Sequence, residues 1–338
     1  MKRFLKNLLW IIAGLLVVAG AGLGVLLLFF STPEVPAATL AAKYGQPPSK
    51  FLKLPGGTVA HFRDYPATTG DPAAPLLVLL HGSNASLHTW EPWAQRLRTT
   101  MRVISVDLPG HGLTGATVEG DYSVEGMVAF VESFTRTLGI ERPFVVGGNS
   151  IGGHVAWRFA LAHPDRVSKL ILVDAAGVTM PGVDMTPPLG FRLARSPIAA
   201  PILRHFAPRA LFEKTLEAAF YDKSLVTPEM VDRYWELNRR PGTPDATFAR
   251  FRSPLFDPAL MDQLHQISVP TLVLWGREDA LIPVRLAGVY AEKMPNARVI
   301  IYDHCGHIPM EEVADQSAAD VRAFVAAVPV ASPKAAGR

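Results

Sequence analysis

The chain has 338 residues, 49% of them apolar and 19% charged, with 29 prolines, 27 glycines and one cysteine. So much apolar content builds a large core and a lone cysteine closes no internal bridge, which excludes disordered, collagen-like and disulfide-stapled architectures. The formal charge of +3 sits on Lys2, Arg3 and Lys6, ahead of the first acid at Glu34, and the remainder balances. No basic stripe is left for a phosphate backbone, so nucleic acid is not an expected partner.

Residues 8–30 carry no charge. As a helix they would be about 34 Å long, enough for a hydrocarbon core of roughly 30 Å. The apolar core of a signal sequence runs only about 7 to 15 residues, and a soluble helix would show a polar face. Residues 1–30 therefore read as an N-terminal transmembrane anchor. A cleaved signal peptide is the alternative, although the small residues at 37–42 lie well past the apolar run. The basic flank predicts a cytoplasmic N-terminus, with the rest of the chain extracytoplasmic, periplasmic in a Gram-negative cell. Gly20 and Gly24 have the spacing of a close helix contact, but glycine is common in membrane helices generally. In that compartment Cys305, without an internal partner, is expected to be a buried or semi-buried thiol.

Residues 31–48 hold Pro33, Pro36, Pro47 and Pro48 among small residues and read as a tether. Residues 49–54 and 58–64 flank Pro55-Gly56-Gly57 and predict a hairpin. Apolar runs at 76–80, 102–106, 144–146, 169–173, 271–275 and 298–302 then alternate with helical periodicity at 90–98, 123–138, 151–162, 284–294 and 311–328. Near-continuous Val, Leu and Ile imply strands buried on both faces, hence an α/β fold. Its mostly parallel sheet carries helices on both sides and functional groups at the carboxyl ends of the strands. The core is expected at 49–176 and 254–328. Residues 177–253, proline-interrupted and bearing Ile198, Leu211, Leu216 and Phe220, read as an inserted helical cap, and 329–338 as a flexible tail.

The window Val145-Val146-Gly147-Gly148-Asn149-Ser150-Ile151-Gly152-Gly153 places Gly-x-Ser-x-Gly between a buried strand and a helix. Small neighbours permit the strained turn that pushes the Ser150 hydroxyl out at the sheet edge. A serine hydroxyl needs a base to take its proton and a carboxylate to orient that base. Trp275-Gly276-Arg277-Glu278-Asp279 ends one predicted strand and His304-Cys305-Gly306-His307 the next. Asp279 and His307 are accordingly the expected catalytic partners. Glu278 should point elsewhere, Asp174 is an alternative acid at an earlier strand end, and His304 is the less favoured histidine. For the oxyanion, the Ile151 N–H at the start of the helix and the Ser83 N–H in His81-Gly82-Ser83 are the expected donors. His81 reads as a residue that fixes its loop, and Asp107 to Gly112 as a structural turn.

Over residues 49–328 these motifs resemble the alpha/beta-hydrolase superfamily. VGGNSIGG followed by HPDRVSKLILVDAAG looks like the elbow and next strand of bacterial esterases and lipases, which often have an N-terminal hydrophobic segment. Similar Gly-Asn-Ser-x-Gly-Gly elbows occur in carbon–carbon bond hydrolases of aromatic degradation. The resemblance implies serine, aspartate and histidine acting in that order, mapped onto Ser150, Asp279 and His307. Ile151 stands where methionine is frequent, which alters the pocket wall but not the backbone donor. Dehalogenases and epoxide hydrolases of this fold attack with aspartate, so the serine points to an acyl-enzyme. No metal and no cofactor are expected, since neither a His-Glu-x-x-His set nor a Gly-x-Gly-x-x-Gly loop occurs. The expected activity is cleavage of a small apolar or lipid-derived carboxylic ester by a membrane-bound serine hydrolase with no obligate protein partner. Carbon–carbon hydrolysis is the alternative, and an inactive tethered binding protein a third reading.

Overall fold

Leu76–Leu80 and Phe144–Asn149 are buried along their whole length, and strands of that kind need cover on both faces. The computed structural model supplies it; it describes residues 2–183, 195–253 and 257–327. Residues 184–194 of the expected cap and the expected tail at 329–338 lie outside the described residues. The strands are β1 (Ser49–Lys53), β2 (Val59–Tyr65), β3 (Leu76–Leu80), β4 (Arg102–Val106), β5 (Phe144–Asn149), β6 (Val167–Val173), β7 (Thr271–Gly276) and β8 (Ala297–Tyr302). They form one sheet in the order β1-β2-β4-β3-β5-β6-β7-β8. β2 is antiparallel to β1 and β4, and all pairs from β4 to β8 are parallel.

The helices are α1 (Lys2–Phe30), α2 (Ala37–Tyr44), α3 (Glu91–Leu97), α4 (Val124–Thr137), α5 (Ile151–Ala162), α6 (Ala200–Leu203), α7 (Arg209–Ala219), α8 (Pro228–Leu237), α9 (Thr243–Arg252), α10 (Pro258–Met261), α11 (Arg285–Lys293), α12 (Pro309–Glu312) and α13 (Ala314–Ala326). Side chains alternate across a strand. Val78, Leu80 and Val146 thus join Phe134 of α4, Val155 of α5 and Tyr290 of α11 on one face. Leu77, Leu79 and Val145 join Trp93 of α3 and Val321 of α13 on the other. Helix starts follow local chemistry. The Ser123 hydroxyl accepts the Gly126 N–H at 3.0 Å to begin α4, and Thr227 caps α8 ahead of Pro228. Because six strands run in parallel, the loops after β3, β5, β6, β7 and β8 all emerge along one edge. The crossover between β3 and β5 lies in its middle, where such sheets bind ligands.

Two expectations need correction. Residues 31–48 are not a loose tether: Ala37–Tyr44 is helical, with Pro36 at its N-cap. Proline stops a helix only where it stands, and the alanine-rich run behind it is a good helix former. The segment is also fastened, because the Thr32 N–H donates to the His205 carbonyl at 2.7 Å and the Val35 N–H to the Arg239 carbonyl at 2.8 Å. Leu40 is buried against Leu113 and Leu237. The second correction is that the last helix, expected over 311–328, is broken at Val313 (φ −123°, ψ 46°). The break leaves the Glu312 carboxylate facing back, where it accepts the Gly306 and Asp222 N–H groups at 2.6 and 2.7 Å.

Among the described residues, one helix is long and apolar enough to cross a membrane. Its stretch Arg3–Gly22 has a mean hydropathy of 2.0, and none of it is buried.

Lys169, on β6, is the unusual charge in the core. Its ammonium donates to the Phe324, Val325 and Ala327 carbonyls at 2.8, 2.8 and 2.6 Å, where a helix end carries partial negative charge. Burial lowers its pKa. Lys169→Met should leave those carbonyls unsatisfied and cost about 1 to 3 kcal/mol, read as a lower denaturation midpoint in urea with an unchanged m-value.

Candidate active site

Ser150 stands between β5 and α5 with φ 55° and ψ −121°, a backbone region that side-chain-bearing residues rarely occupy. Packing makes room for it. A Cβ on Gly148 would lie 2.1 Å from the Gly152 carbonyl oxygen, so only glycine lets the strand end and the helix start approach this closely. The Ser150 N–H donates to the Val173 carbonyl at 3.0 Å, and its own carbonyl accepts from His154 and Ala176 at 3.1 and 2.9 Å. The turn is thereby held from three sides.

Asp279 follows β7. Its Oδ1 accepts the Leu281 and Ile282 N–H groups at 2.8 and 2.9 Å, and its Oδ2 lies 2.7 Å from His307 Nδ1. That contact leaves His307 Nε2 as the free ring nitrogen, the tautomer a general base requires. His307 is buried, its N–H donating to the Ala219 carbonyl at 2.7 Å. The Asn149 amide donates to the Val173 and His307 carbonyls at 3.2 and 3.0 Å, which ties the residue before Ser150 to the histidine loop. Gly82 closes the other side, since a Cβ there would meet Ser150 Cβ at 3.2 Å and Asn149 Oδ1 at 2.7 Å. The backbone carrying Ser83 thus runs against the serine, and Ile151 opens α5. All five expected residues gather on the one sheet edge.

Of the alternatives, Glu278 and His304 point away, and Asp174 lies beside the pair. Glu278 accepts the Cys305 N–H at 3.0 Å, and exposed His304 faces the Tyr221 hydroxyl at 3.2 Å. Cys305 is buried, and burial pushes its thiol pKa far up, so it is not a competing nucleophile. His81 fixes its loop: Nδ1 lies 2.8 Å from the Gly82 carbonyl, and Nε2 accepts the Leu108 N–H at 3.0 Å. Burial keeps its pKa below the usual histidine value. Asp107 likewise binds structure, with His61 Nδ1 at 2.6 Å and the Leu87 and Leu113 N–H groups both at 2.7 Å. Asp174, Asp279 and His307 offer ligand atoms within 4.8 Å of one another. Most of that donor capacity is already spent on the Asp279–His307 bond and on backbone N–H groups.

Sequence reading missed the support that helices between β6 and β7 in the chain give to the loop after β3. Arg250 of α9, itself buried, donates to His111 Nε2 at 2.8 Å and to Asn84 Oδ1 at 3.1 Å. Burial pushes its guanidinium down to about 10. The Asn238 amide donates to the Asn84 carbonyl at 2.6 Å. Asn84 stands at φ 59°, held there by Arg250 and Asn238, and these pairings span 166 and 154 residues of chain without any motif to announce them.

The model of the alpha/beta hydrolase fold family matches residues 75–313. The chain belongs to that family. A 2-hydroxy-6-oxononadienedioate/2-hydroxy-6-oxononatrienedioate hydrolase of Paraburkholderia phymatum is 31% identical over 278 residues, covering 79% of this chain and 92% of the relative. Among solved structures, a meta-cleavage product hydrolase from Pseudomonas fluorescens superposes with a TM-score of 0.69 at 23% identity, over 82% of this chain and 97% of that one. A membrane phospholipase A superposes with a TM-score of 0.67 at 25% identity, over 96% of this chain and 98% of the other. As an alpha/beta hydrolase, the chain is a hydrolase with strand-end loops for its site.

Since Arg250 fixes the loop after β3 at this strand-end edge, Arg250→Leu should lower the hydrolytic kcat/KM by about ten- to hundredfold, as misplacing an active-site loop by an ångström can. Near-ultraviolet circular dichroism should stay unchanged in the same variant.

Proposed function

We propose that this alpha/beta hydrolase is a membrane-anchored serine esterase that cleaves a small apolar or lipid-derived carboxylic ester. Ser150 Oγ attacks the ester carbonyl carbon while His307 Nε2 takes its proton. The Ser83 and Ile151 N–H groups hold the oxyanion, and His307 returns the proton to the departing alkoxide. Water, deprotonated by His307, then releases the acid from the Ser150 acyl-enzyme. Asp279 orients His307 and balances the charge that forms on its ring. The sequence requires no metal and no cofactor.

The observation that carries the lipid side of this reading is the joint between the apolar helix and the cap. Thr32, two residues past α1, is hydrogen-bonded through backbone and hydroxyl to His205 and Ala207, so the cap would lie at the membrane surface that α1 enters. Ile198 and Leu211, which flank His205 and Ala207 in sequence, are exposed at 79% and 55%. Lys2, Arg3 and Lys6 would hold the N-terminus in the cytoplasm, with the hydrolase domain outside.

Carbon–carbon hydrolysis is the second reading, favoured by the 31% identity to a hydrolase named for dienedioate substrates. A panel of p-nitrophenyl esters assayed beside a dienoic diketone acid separates the two. The expected outcome is turnover of esters, rising with acyl apolarity, and none of the diketone acid; preference for the diketone acid would sink the ester reading. Fluorophosphonate should label wild type and not Ser150→Ala, and His307→Ala should lose at least about a thousandfold in ester kcat. Near-normal turnover in either variant would remove the assigned nucleophile or base.

A further inference from the structure

Asp174 ends β6 beside the proposed site, and the esterase mechanism leaves it without a task. It is fully buried and holds φ 44°, a strained value for a residue that is not glycine. Its register places it next to the serine: Asn149 pairs with Val173, so Ser150 and Asp174 are successive strand ends. Its Oδ1 accepts the Gly276 N–H at 2.9 Å, while Oδ2, also buried, has no hydrogen-bond partner among the described groups. The ligand atoms of Asp174, Asp279 and His307 lie within 4.8 Å of one another.

Two carboxyl groups this close in a dry site do not both ionise. Three donors converge on Asp279, from Leu281, Ile282 and His307, whereas a single donor reaches Asp174. The negative charge therefore belongs to Asp279 and the proton to Asp174. A neutral carboxyl carries an O–H that must be satisfied when buried. The unpartnered Oδ2 is the atom to bear it, and Asp279 has unused acceptor capacity.

From this geometry we infer that Asp174 is a positioning residue, a neutral acid whose Oδ2–H donates to the Asp279 carboxylate and fixes it for His307. Burial, and then the neighbouring Asp279 charge, push the Asp174 pKa well up, in the same direction. Besides Asp279 and His307, whose Nδ1 bonds Asp279 and not Asp174, the titratable groups around it are Glu312 of α12, Cys305 in the loop after β8 and Tyr302 on β8. None of these is a cation that would favour an ionised Asp174. The inference rests on the reading of Ser150, His307 and Asp279 as one catalytic unit.

Asp174→Asn and Asp174→Ala, in the full chain in detergent micelles, test it through the pH dependence of kcat/KM for a p-nitrophenyl ester. Asparagine keeps both bonds, its oxygen accepting from Gly276 and its N–H donating to Asp279. It should leave kcat within about threefold and the acid limb, where His307 gains its proton, unmoved. Alanine removes the donor and should lower kcat by about tenfold or more with little change in KM. If Asp174 were ionised, D174N would delete a negative charge beside His307 and shift the acid limb down by about one pH unit or more; that shift overturns the inference. Equal losses in D174N and D174A, or activity lost on chelation and restored by a divalent cation, overturn it as well. Fluorophosphonate labelling keeps the two readings apart. Labelling that survives S150A removes the catalytic unit and this inference together, whereas a shifted acid limb with Ser150-dependent labelling removes this inference alone.

Discussion

The backbone at Ser150 is held at φ 55°, ψ −121°, a conformation that costs of order 1 to 3 kcal/mol and persists only where its surroundings over-determine it. Those surroundings account for much of the molecule. A parallel sheet supplies the adjacent strand end whose Val173 carbonyl takes the Ser150 N–H. Gly148 lets α5 start directly against the strand, and Gly82 lets the loop after β3 pass within contact of the serine. The same edge delivers Asp279 and His307 from the next two strands, already bonded to each other.

Charges in the interior are handled by consistent rules. Asp107 collects a histidine and two backbone N–H groups, and Lys169 collects three carbonyls at a helix end. Arg250 is paired instead with neutral acceptors, His111 and Asn84. Each buries an ion only where several dipoles replace its water. Asp107, Arg250 and Asn238 hold the loops after β3 and β4 on the edge that carries Ser150, whereas Lys169 pins the opposite end of β6 to the end of α13.

What could be read from residues alone was whatever is local. The fully apolar runs of β3 and β5 announced a two-sided sheet. The glycines around Ser150 announced the elbow, and the strand-end positions of Asp279 and His307 announced their convergence. Single-chain periodicity could not show that α9 and α8 would send Arg250 and Asn238 back to Asn84, because nothing in their neighbourhood differs from an ordinary solvated helix. Nor could it show the break at Val313, beside which Glu312 binds the N–H groups of the distant Gly306 and Asp222. Of the prolines at 31–48, Pro36 marks where a helix starts, and Leu40 then finds a hydrophobic seat that only the tertiary structure creates.

That seat bears on how the hydrolase domain can be produced apart from its apolar helix. Trimming at residue 30 keeps the Leu40 contact and the bonds from Thr32 and Val35 to the cap. Trimming at residue 48 instead bares Leu113 and Leu237, and takes away the lysine and tyrosine, Lys43 and Tyr44, that bind Glu236 at 2.8 and 2.9 Å. The packed hydrolase fold therefore begins before the first proline, in the short stretch where the apolar helix ends.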